Sequence, residues 1–559
     1  MIAGIEAARK KNADLVVFSE LCICGYPPRD FLEFEDFIKQ SEDSIASLKA
    51  YSKEMGILVG APARNSRPQG KDLFNAAWLL YEGRLQQVVH KTCLPTYDVF
   101  DEYRYFEPAF DWQVMHFKGK KLAVTICEDI WNLGDDLLYR ICPMDRLMEQ
   151  KPDVMINLSA SPFDYDQQEK REAVIKANAK KYGLPLYYCN TVGSQTEIVF
   201  DGGSIIADAS GCIIKSLPLF EEAIEGAPLE DLYIQQERRP ETSSINSGST
   251  VASPPLHPAT GNMPILTRNQ NAQLPFQPER HIDRIYTALV TGIRDYFSKM
   301  QFKQAVLGSS GGIDSAVAIV LATQALGPEN VHAVLMPSPF SSSHSVEDAK
   351  QLSENLGNPY EIIKINAVYE AFLSTLRSQF KDLPFGLAEE NIQARSRGNI
   401  LMSLANKFGY ILLNTSNKSE LATGYGTLYG DMAGGLSVLG DIYKTQVYAL
   451  ARYINRNEEI IPKNILIKAP SAELRPGQKD SDSLPDYDEL DPILYQYIEH
   501  REGPQEIVKM GHDEALVSRI LRLVNRNEYK RNQFCPIIRV SCKAFGPGRR
   551  IPIVGKYLD

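Results

Sequence analysis

The stretch LGSSGGIDSA, residues 307–316, decides how the C-terminal half of the chain folds. One apolar run, residues 305–307, leads into it, and another, residues 316–321, ends and follows it. This layout predicts a β-strand that enters a glycine-rich loop and continues as a helix. Such a loop binds anions, because its N–H groups and the positive N-terminus of the helix face outward. Gly311 and Gly312 let an anion approach the backbone closely.

Asp314 lies inside the same loop, among serine hydroxyls and N–H groups that suit phosphate. A carboxylate is favourable there if Mg²⁺ links it to phosphate oxygens. The loop lacks the lysine of the GxxxxGK[ST] motif, so it is a different kind of phosphate loop. A plain Gly/Ser turn that caps a helix is the alternative interpretation.

The sequence around the loop alternates between strand and helix patterns, which predicts an α/β fold with a doubly wound parallel sheet. The strand patterns cover residues 304–308, 331–337, 360–365 and 409–416, and the helical patterns cover residues 279–300, 314–326, 344–356 and 441–454.

The N-terminal half also mixes short strands with helices and predicts layered α/β packing. Its strand patterns cover residues 14–20, 56–62, 76–83, 120–128, 153–159 and 185–193, and its helical patterns cover residues 3–12, 33–55, 135–149 and 167–182. Residues 238–278 are rich in Pro, Ser, Asn and Thr and have no period, which is typical of a linker. We therefore predict two domains, residues 1–237 and 279–559.

Composition excludes several classes of protein. The 559 residues carry a net charge of −10, which argues against a sequence-independent nucleic-acid binder. The chain has no run of 18 apolar residues and no signal-peptide layout at its start, so we expect no membrane span. Its nine cysteines form no CxxC pair, which favours a reducing cytoplasm, and its eight histidines form no zinc motif.

Four segments of the C-terminal half resemble known signatures. SGGIDS (residues 310–315) resembles the pyrophosphate loop of the ATP pyrophosphatases, which cleave ATP to AMP and pyrophosphate while adenylating a substrate. The segment from NTSNKSEL to GDIYKT (residues 414–445) resembles the NAD synthetase signature, and so do ENIQARSR (residues 390–397) and the tail at residues 529–552. The resemblance implies a fold like that of the adenine nucleotide alpha hydrolases.

The same resemblance implies roles for particular residues. Two carboxylates can hold Mg²⁺ against a triphosphate, and a lysine can offset the charge that develops on the leaving pyrophosphate. The ATP contacts would be Gly308, Ser310, Gly311, Gly312, Asp314, Ser315, Thr415, Lys444 and Ser471; the Mg²⁺ ligands Asp314 and Glu420; and the contacts to nicotinic acid adenine dinucleotide (deamido-NAD) Asn391, Arg395, Glu420 and Lys530.

Taken one at a time, Lys444, Arg395 and Glu420 would more often be solvated surface charges than site residues. One position also departs from the resemblance. Leu428, in TGYGTLYGDMAGG, stands where single-domain NAD synthetases carry a lysine, which puts one expected substrate contact in doubt.

A second candidate site lies upstream. Cys127, in VTICEDIW, ends a predicted strand; Glu20 ends another, and Lys91 follows a third apolar run. The three side chains together suit acyl transfer. Glu20 would take the thiol proton, and Lys91 would stabilise the thiolate and the oxyanion. Cys127 would attack an amide to form a thioester, which water then hydrolyses. An inert buried cysteine is the alternative.

The motifs SELCICGYPPRD (residues 19–30), KTCLPTYDVFDEYRYF (residues 91–106) and ICEDIW (residues 126–131) resemble the nitrilase superfamily in order and spacing. They are most similar to the glutaminase domain of glutamine-dependent NAD synthetases, which implies an α-β-β-α sandwich. By this resemblance Tyr97, Glu128 and Ser161 shape a glutamine pocket, and Glu102 supports the three catalytic residues. Glu102 could instead be one more acidic residue of a charged loop.

Domains of this superfamily usually open with a strand well before the catalytic glutamate. Here only one helix pattern and one strand precede Glu20. We therefore expect the N-terminal sheet to lack its first strand, which would leave backbone groups unpaired and reduce glutaminase activity.

Together the two halves imply ATP-dependent amidation of deamido-NAD to NAD⁺ through an adenylate, with ammonia from glutamine. The expected products are AMP, pyrophosphate and glutamate. The expected partners are small molecules and further copies of the chain as a homo-oligomer, with no nucleic acid and no membrane. Another amidotransferase with the same loop is the first alternative. The second is a non-catalytic nucleotide-binding protein, which would have lost residues such as Cys127 or Asp314; both are present.

Overall fold

The structure is a computed structural model that describes residues 1–134, 137–233, 275–381 and 383–555. Most of the predicted linker, residues 238–274, therefore lies outside the described residues. The domain boundaries at residues 237 and 279 stay predictions.

The N-terminal half contains two β-sheets packed face to face. In the first sheet the strand order is 1-2-3-4, with one parallel pair and two antiparallel pairs. Both faces of the second strand are buried. Its sequence, GILVGAPAR, has no polar side chain before the final arginine, so neither face favours solvent. The strands are β1 (Leu15–Val17), β2 (Gly56–Arg64), β3 (Leu73–Tyr81) and β4 (Arg84–His90).

The second sheet has six strands in the order 12-11-8-7-6-5, and its central strands β6, β7 and β8 are parallel. A separate hairpin follows β8. The strands of the sheet are β5 (Met115–Phe117), β6 (Lys120–Ile126), β7 (Val154–Ser159), β8 (Leu186–Asn190), β11 (Ile205–Ala207) and β12 (Ile213–Ser216); the hairpin strands are β9 (Val192–Gln195) and β10 (Ile198–Asp201).

Apolar side chains fill the space between the two sheets, with Leu58 and Leu79 from the first sheet against Val124 and Ile156 from the second. Helices cover both outer faces, two on the first sheet and two on the second, so the predicted α-β-β-α sandwich is confirmed. The helices of this half are α1 (Ile2–Lys10), α2 (Glu35–Leu48), α3 (Glu102–Tyr105), α4 (Pro143–Met148) and α5 (Gln167–Tyr182).

The helix predicted over residues 135–149 was too long, since α4 begins at Pro143; proline fits the first turn of a helix but disfavours helix in the residue before it. Only α1 precedes β1, and β1 pairs with β2 alone among the described residues. The expected loss of glutaminase activity stays a prediction.

The C-terminal half is built on a five-stranded parallel sheet in the order 15-14-13-16-17, which confirms the doubly wound fold. The chain moves outward in opposite directions on the two sides of β13. The crevice at the carboxyl end of β13 is therefore where such a fold binds ligands. The strands are β13 (Ala305–Gly308), β14 (Val331–Leu335), β15 (Tyr360–Ile362), β16 (Ile411–Asn414) and β17 (Leu436–Ser437).

Helices cover both faces of this sheet. Leu289, Ala318 and Leu450, from three helices, belong to the core on one face, while Leu401 and Ala405 of another helix pack on the opposite face. The helices are α6 (Ile282–Met300), α7 (Ile313–Leu326), α8 (Ser343–Leu356), α9 (Asn366–Phe380), α10 (Leu387–Phe408), α11 (Lys418–Thr423), α12 (Lys444–Ile454), α13 (Lys463–Ile467), α14 (Tyr487–Ile498), α15 (Pro504–Lys509), α16 (Glu514–Arg526) and α17 (Glu528–Arg531).

The two halves share one hydrophobic core. Phe163, Tyr165 and Val199 of the N-terminal half are buried in the same cluster as the core of the C-terminal half. Backbone bonds cross the junction as well: the N–H of Tyr165 donates to the carbonyl of Val540 at 3.0 Å, and the N–H of Arg539 donates to the carbonyl of Glu197 at 2.8 Å.

A buried lysine stands at this junction. The Nζ atom of Lys418, at the start of α11, lies 2.8 Å from Asp441 Oδ1 and 2.8 Å from Glu499 Oε1, and all three side chains are fully buried. The hydroxyl of Tyr165, from the other half, donates to Glu499 at 2.6 Å. Burial lowers the pKa of Lys418, but the carboxylates of Asp441 and Glu499 more than offset this and raise it overall, so the ammonium stays charged.

We predict that Lys418→Met lowers the free energy of unfolding by about 3–5 kcal/mol, because it leaves two buried carboxylates without their cation. Urea unfolding followed by circular dichroism measures this. Lys407→Met, on the exposed side of α10, is the matched control and should change the free energy by less than about 0.5 kcal/mol. Equal midpoints for Lys418→Met and the wild type would contradict the prediction.

Candidate active sites

The first site forms around Cys127, directly after β6. The residue begins a short turn, Cys127–Ile130, and its φ of +43° lies in the left-handed region, which non-glycine residues rarely adopt. The carboxylate of Asp129 holds the turn, because it accepts bonds from the N–H groups of Ile126 (3.0 Å) and Cys93 (2.8 Å). The sequence thus places the thiol at a strained strand end, where functional groups are often found.

Lys91 lies between two carboxylates and is fully buried. Its Nζ atom donates to Glu20 Oε1 at 2.7 Å and to Glu102 Oε1 at 2.8 Å. The structure therefore brings Glu20, Lys91 and Glu102 together, as the sequence predicted. It also removes the alternative for Glu102, which is buried rather than part of an exposed charged loop.

Three further groups orient the carboxylates, and sequence analysis missed them. The side-chain amide of Asn75 donates to Glu20 at 2.7 Å and to Glu102 at 3.3 Å. The hydroxyl of Tyr26 donates to Glu102 at 2.7 Å, and the N–H of Ala160 donates to Glu20 at 3.0 Å. Asn75 left a signal, since it is the one polar residue in the apolar run of β3.

A glycine in β2 permits the position of Glu20. A Cβ atom added at Gly60 would lie 2.5 Å from the carbonyl oxygen of Ser19 and 2.5 Å from the nitrogen of Leu21. The backbone on both sides of Glu20 thus passes directly over β2, and no larger residue fits there.

The charges of the site suit proton transfer. Burial raises the pKa of the Cys127 thiol well above its usual value; Glu20 adds to this and Lys91 opposes it. Burial lowers the pKa of Lys91, but Glu102 and Glu20 outweigh it and raise the pKa well above the usual value. Burial also raises the pKa of Glu102 to about 7. The resting site therefore holds a neutral thiol and a lysine cation.

The predicted pocket residues lie next to this group. The hydroxyl of Tyr97 donates to the two carboxylate oxygens of Glu128 at 2.9 and 3.0 Å. Glu128 follows Cys127 in the chain, and Ser161 follows Ala160, whose N–H holds Glu20. Ser161 is itself fixed, because its N–H donates to the side chain of Asn190 at 2.9 Å.

The second site is a cavity of about 280 Å³ at the carboxyl end of the parallel sheet. The loop after β13, the loop after β16 and the segment before α14 line it. It brings together ten of the residues that sequence analysis singled out: Gly308, Ser310, Gly311, Gly312, Asp314, Ser315, Thr415, Glu420, Lys444 and Ser471.

The glycine-rich loop has the shape that its sequence predicts. Gly311 has a φ of +75°, and a Cβ atom there would lie 2.2 Å from the carbonyl oxygen of Ser345. The hydroxyls of Ser310 and Ser315 lie 3.1 Å apart, and Ser310 accepts a bond from the N–H of Gly312 at 3.2 Å. Gly312 then caps α7.

Asp314, Glu420 and Lys444 form the charged centre of the cavity. Lys444 Nζ lies 2.5 Å from Asp314 Oδ2 and 3.6 Å from Glu420 Oε1, and the side-chain amide of Asn417 donates to Asp314 at 2.8 Å. Burial raises the pKa of Glu420 to about 8; Asp314 adds to this and Lys444 opposes it.

This centre fits Mg²⁺, which takes oxygen ligands and commonly uses one or two carboxylates together with substrate phosphates. Nowhere in the described part of the chain do three or more His, Cys, Asp or Glu residues form a metal cluster of their own. Two carboxylates beside a phosphate loop are the donor set that such a shared site needs.

The remaining predicted residues, Asn391, Arg395 and Lys530, do not line the cavity. They gather instead on the loop at residues 424–430. Asn391 accepts a bond from the Thr427 hydroxyl at 2.8 Å, Arg395 Nε donates to the carbonyl of Leu428 at 3.2 Å, and Lys530 Nζ donates to the carbonyls of Gly424 and Gly426 at 2.8 Å each.

Arg397, Lys468 and Asp480 also line the cavity, and sequence analysis did not single them out. Arg397 lies within ENIQARSR, and Lys468 is three residues before Ser471, so proximity to the recognised segments was the available signal.

The comparisons with known proteins agree with this geometry. The carbon-nitrogen hydrolase family model matches residues 1–235, and the NAD synthase family model matches residues 285–534. A glutamine-dependent NAD⁺ synthetase from Synechocystis sp. is 43% identical over 98% of this chain and 94% of its own length. One from Thermotoga maritima is 41% identical over 100% of this chain and 95% of its own length.

The chain belongs to the glutamine-dependent NAD⁺ synthetase family. Solved structures of family members also match the chain over nearly its whole length. The synthetase from Acinetobacter baumannii in complex with ADP is 34% identical, with a TM-score of 0.70 over 100% of this chain and 95% of that one. A family member from Cytophaga hutchinsonii, at 19% identity and a TM-score of 0.77, supports the fold; it covers 99% of this chain and 94% of its own.

We predict that alkylation of Cys127 by iodoacetamide speeds up about tenfold for each pH unit between pH 7 and 9. The thiolate is the reactive form, and below the pKa its fraction grows tenfold per unit. Because burial raises that pKa well above 9.0, no plateau should appear in this range. Mass spectrometry of the peptide follows the rate.

Cys127→Ala is the control for alkylation at other thiols, because it keeps the other eight cysteines. A plateau near neutral pH would mean that Lys91 already holds a thiolate in the resting site.

Proposed function

We propose that the chain is a ligase that amidates deamido-NAD to NAD⁺, uses ATP to activate the carboxylate and takes ammonia from glutamine. The observation that carries the proposal is the presence, in one packed chain, of a Glu20–Lys91–Cys127 group and of a phosphate-loop cavity centred on Asp314, Glu420 and Lys444. Relatives that match the chain over nearly its whole length are glutamine-dependent NAD⁺ synthetases, which supports this reaction over other uses of the two sites.

Glutamine hydrolysis takes place at Cys127. Glu20 accepts the thiol proton as the sulfur attacks the side-chain amide, and Lys91 stabilises the negative oxygen that forms. Glu20 then returns the proton to the leaving nitrogen, so ammonia departs and a thioester remains. In the second half of the reaction Glu20 takes a proton from water as the water oxygen attacks the thioester carbonyl. Glu20 then returns that proton to the sulfur as the C–S bond breaks, so glutamate leaves and the thiol is restored.

The buried carboxylate of Glu128 suits recognition of the α-ammonium group of glutamine, since an ammonium group would offset the cost of burying its charge. Tyr97 orients it through its hydroxyl. Ser161 completes the pocket from the strand end that also holds Glu20.

Activation takes place in the second cavity. The N–H groups and hydroxyls of the loop from Gly308 to Ser315 bind the ATP phosphates, and Thr415, Lys444 and Ser471, which line the same cavity, also contact the nucleotide. Asp314 and Glu420 would hold Mg²⁺, which would supply positive charge against the triphosphate. The nicotinate carboxylate attacks the α-phosphate, pyrophosphate leaves, and ammonia then displaces AMP from the adenylate.

Deamido-NAD binds beside the cavity, at Asn391, Arg395 and Lys530. These three already hold the loop at residues 424–430 by hydrogen bonds, so this loop shapes the substrate site. Leu428 supplies its carbonyl to Arg395, which gives the position a role through the main chain where single-domain relatives use a lysine side chain.

We also infer a homo-oligomer, because apolar side chains stay exposed along α9, α10 and the segment between them. They are Val368, Phe372, Leu383, Phe385, Leu387, Met402 and Phe408. Each helix among the described residues is too short or too polar to span a lipid bilayer. All nine cysteines are free thiols, which supports a reducing cytoplasm as the place of reaction.

The decisive test is NAD⁺ formation from deamido-NAD, ATP and Mg²⁺, once with glutamine and once with ammonium chloride. We expect product in both. Cys127→Ala should lower glutamine-driven synthesis at least about a thousandfold, since the nucleophile is gone, and leave ammonium-driven synthesis within about twofold of the wild type. Cys212→Ala, an exposed cysteine, is the matched control.

Asp314→Ala should abolish synthesis from either nitrogen source, because no adenylate forms; Asp283→Ala, exposed on α6, should change neither. Loss of both activities in Cys127→Ala, or retention of both in Asp314→Ala, would contradict the two-site mechanism.

A further inference from the structure

An internal carboxylate stands at the wall of the nucleotide cavity. Glu473, on the segment between α13 and α14, accepts bonds from Lys468 Nζ at 2.8 Å and from the Ser345 hydroxyl at 2.7 Å. It also accepts from the Ser342 hydroxyl at 3.1 Å and from the Ser342 N–H at 3.3 Å. Four donors of three different kinds thus converge on one carboxylate.

These donors are of the types that bind phosphate. Lys468 offers an ammonium group, and Ser342 and Ser345 offer hydroxyls. Ser342 is also the N-cap of the 14-residue helix α8, whose N-terminus favours an anion. The carboxylate of Glu473 therefore occupies a place where a phosphate group would find the same partners.

The group borders the phosphate loop directly. Ser345, Lys468 and Glu473 all line the cavity that contains the loop. The loop touches α8 closely, since a Cβ atom at Gly311 would lie 2.2 Å from the carbonyl oxygen of Ser345. A polyphosphate on the loop would need only a short extension to reach these donors.

The cavity also needs the charge of Lys468. Its other cations are Lys444, which is held by Asp314 and Glu420, and Arg397, whose Nε atom donates to the carbonyl of Met336 at 3.1 Å. A triphosphate brings several negative charges. With Glu473 in place, the ammonium of Lys468 is neutralised before any nucleotide arrives.

Glu473 is a charged competitor rather than a neutral hydrogen-bond partner. Burial raises its pKa, but the bonds from Lys468 and Ser345 outweigh this and hold the pKa below its usual value. Its φ of +48° lies in the left-handed region, and its N–H donates to the hydroxyl of Ser471 at 3.1 Å. A shift of Glu473 would therefore be transmitted to a residue that we assign to ATP.

We propose that Lys468 and Ser345 form a second phosphate-binding group for ATP, and that Glu473 occupies it as an internal anion until the triphosphate displaces it. The proposal rests on the proposed function and adds two residues and one exchange step to it. Displacing Glu473 costs binding free energy, so the resting contact weakens the affinity of the chain for ATP.

The test is direct titration calorimetry on the full chain with Mg²⁺ and inorganic pyrophosphate, ADP or adenosine, and no other substrate. Glu473→Gln should tighten binding of pyrophosphate and ADP about tenfold, because the competing charge is gone. Lys468→Met should weaken both about tenfold. Neither variant should change adenosine binding, since adenosine carries no phosphate.

Glu458→Gln, an exposed residue in the same half, is the matched control for net charge and should bind like the wild type. In the Lys468→Met background, Glu473→Gln should raise the affinity for pyrophosphate and ADP by less than it does in the wild type, because the two side chains act as a pair. If Lys468→Met does not fold, the affinity of Glu473→Gln for pyrophosphate and ADP is sufficient to test the proposal.

Unchanged or weaker binding of pyrophosphate by Glu473→Gln, with normal binding by the wild type, would overturn the displacement model and leave the proposed function intact. Absence of ADP and pyrophosphate binding by the wild type and by every variant would overturn the proposed function as well.

Discussion

The ammonium of Lys418, held away from water between Asp441 and Glu499, is the interaction on which the other features depend. Removing a lysine from water is costly unless its charge is matched, and here both anions lie at hydrogen-bond distance. Glu499 also accepts the hydroxyl of Tyr165 from the N-terminal half. Lys418 begins α11, the helix that carries Glu420, so one buried cation fixes the domain junction and one wall of the nucleotide cavity.

Both candidate sites place a lysine between two carboxylates, and the surroundings decide what each lysine does. Lys91 is closed off completely, so its pairing with Glu20 and Glu102 keeps it a permanent cation beside the thiol. Lys444 is paired with Asp314 and Glu420 at the wall of an open cavity, where a polyphosphate and its metal ion can rearrange the charges. In the mechanism we propose, the ion pair of the first site serves proton transfer, and that of the second site is a resting state that substrate replaces.

The sequence predicted those parts of the fold and sites that depend on local pattern. The strand–loop–helix at residues 305–326 and the helix at residues 167–182 appear as expected, because apolar periodicity and glycines specify them locally. Asn75 and Lys468 were missed because their importance comes from partners far away in the chain, Glu20 for Asn75 and Ser345 for Lys468. The roles of individual site residues stay predictions.

The shared core between the halves has a consequence for how such a protein can evolve. Phe163 and Tyr165 belong to the N-terminal half, but their side chains are packed into the core of the C-terminal half. A substitution there changes two folds at once, so the nitrogen-supplying half cannot be exchanged for an unrelated one by recombination at the linker alone. A replacement N-terminal half would need a surface that matches Val540 and Glu499, so the two domains are expected to evolve together.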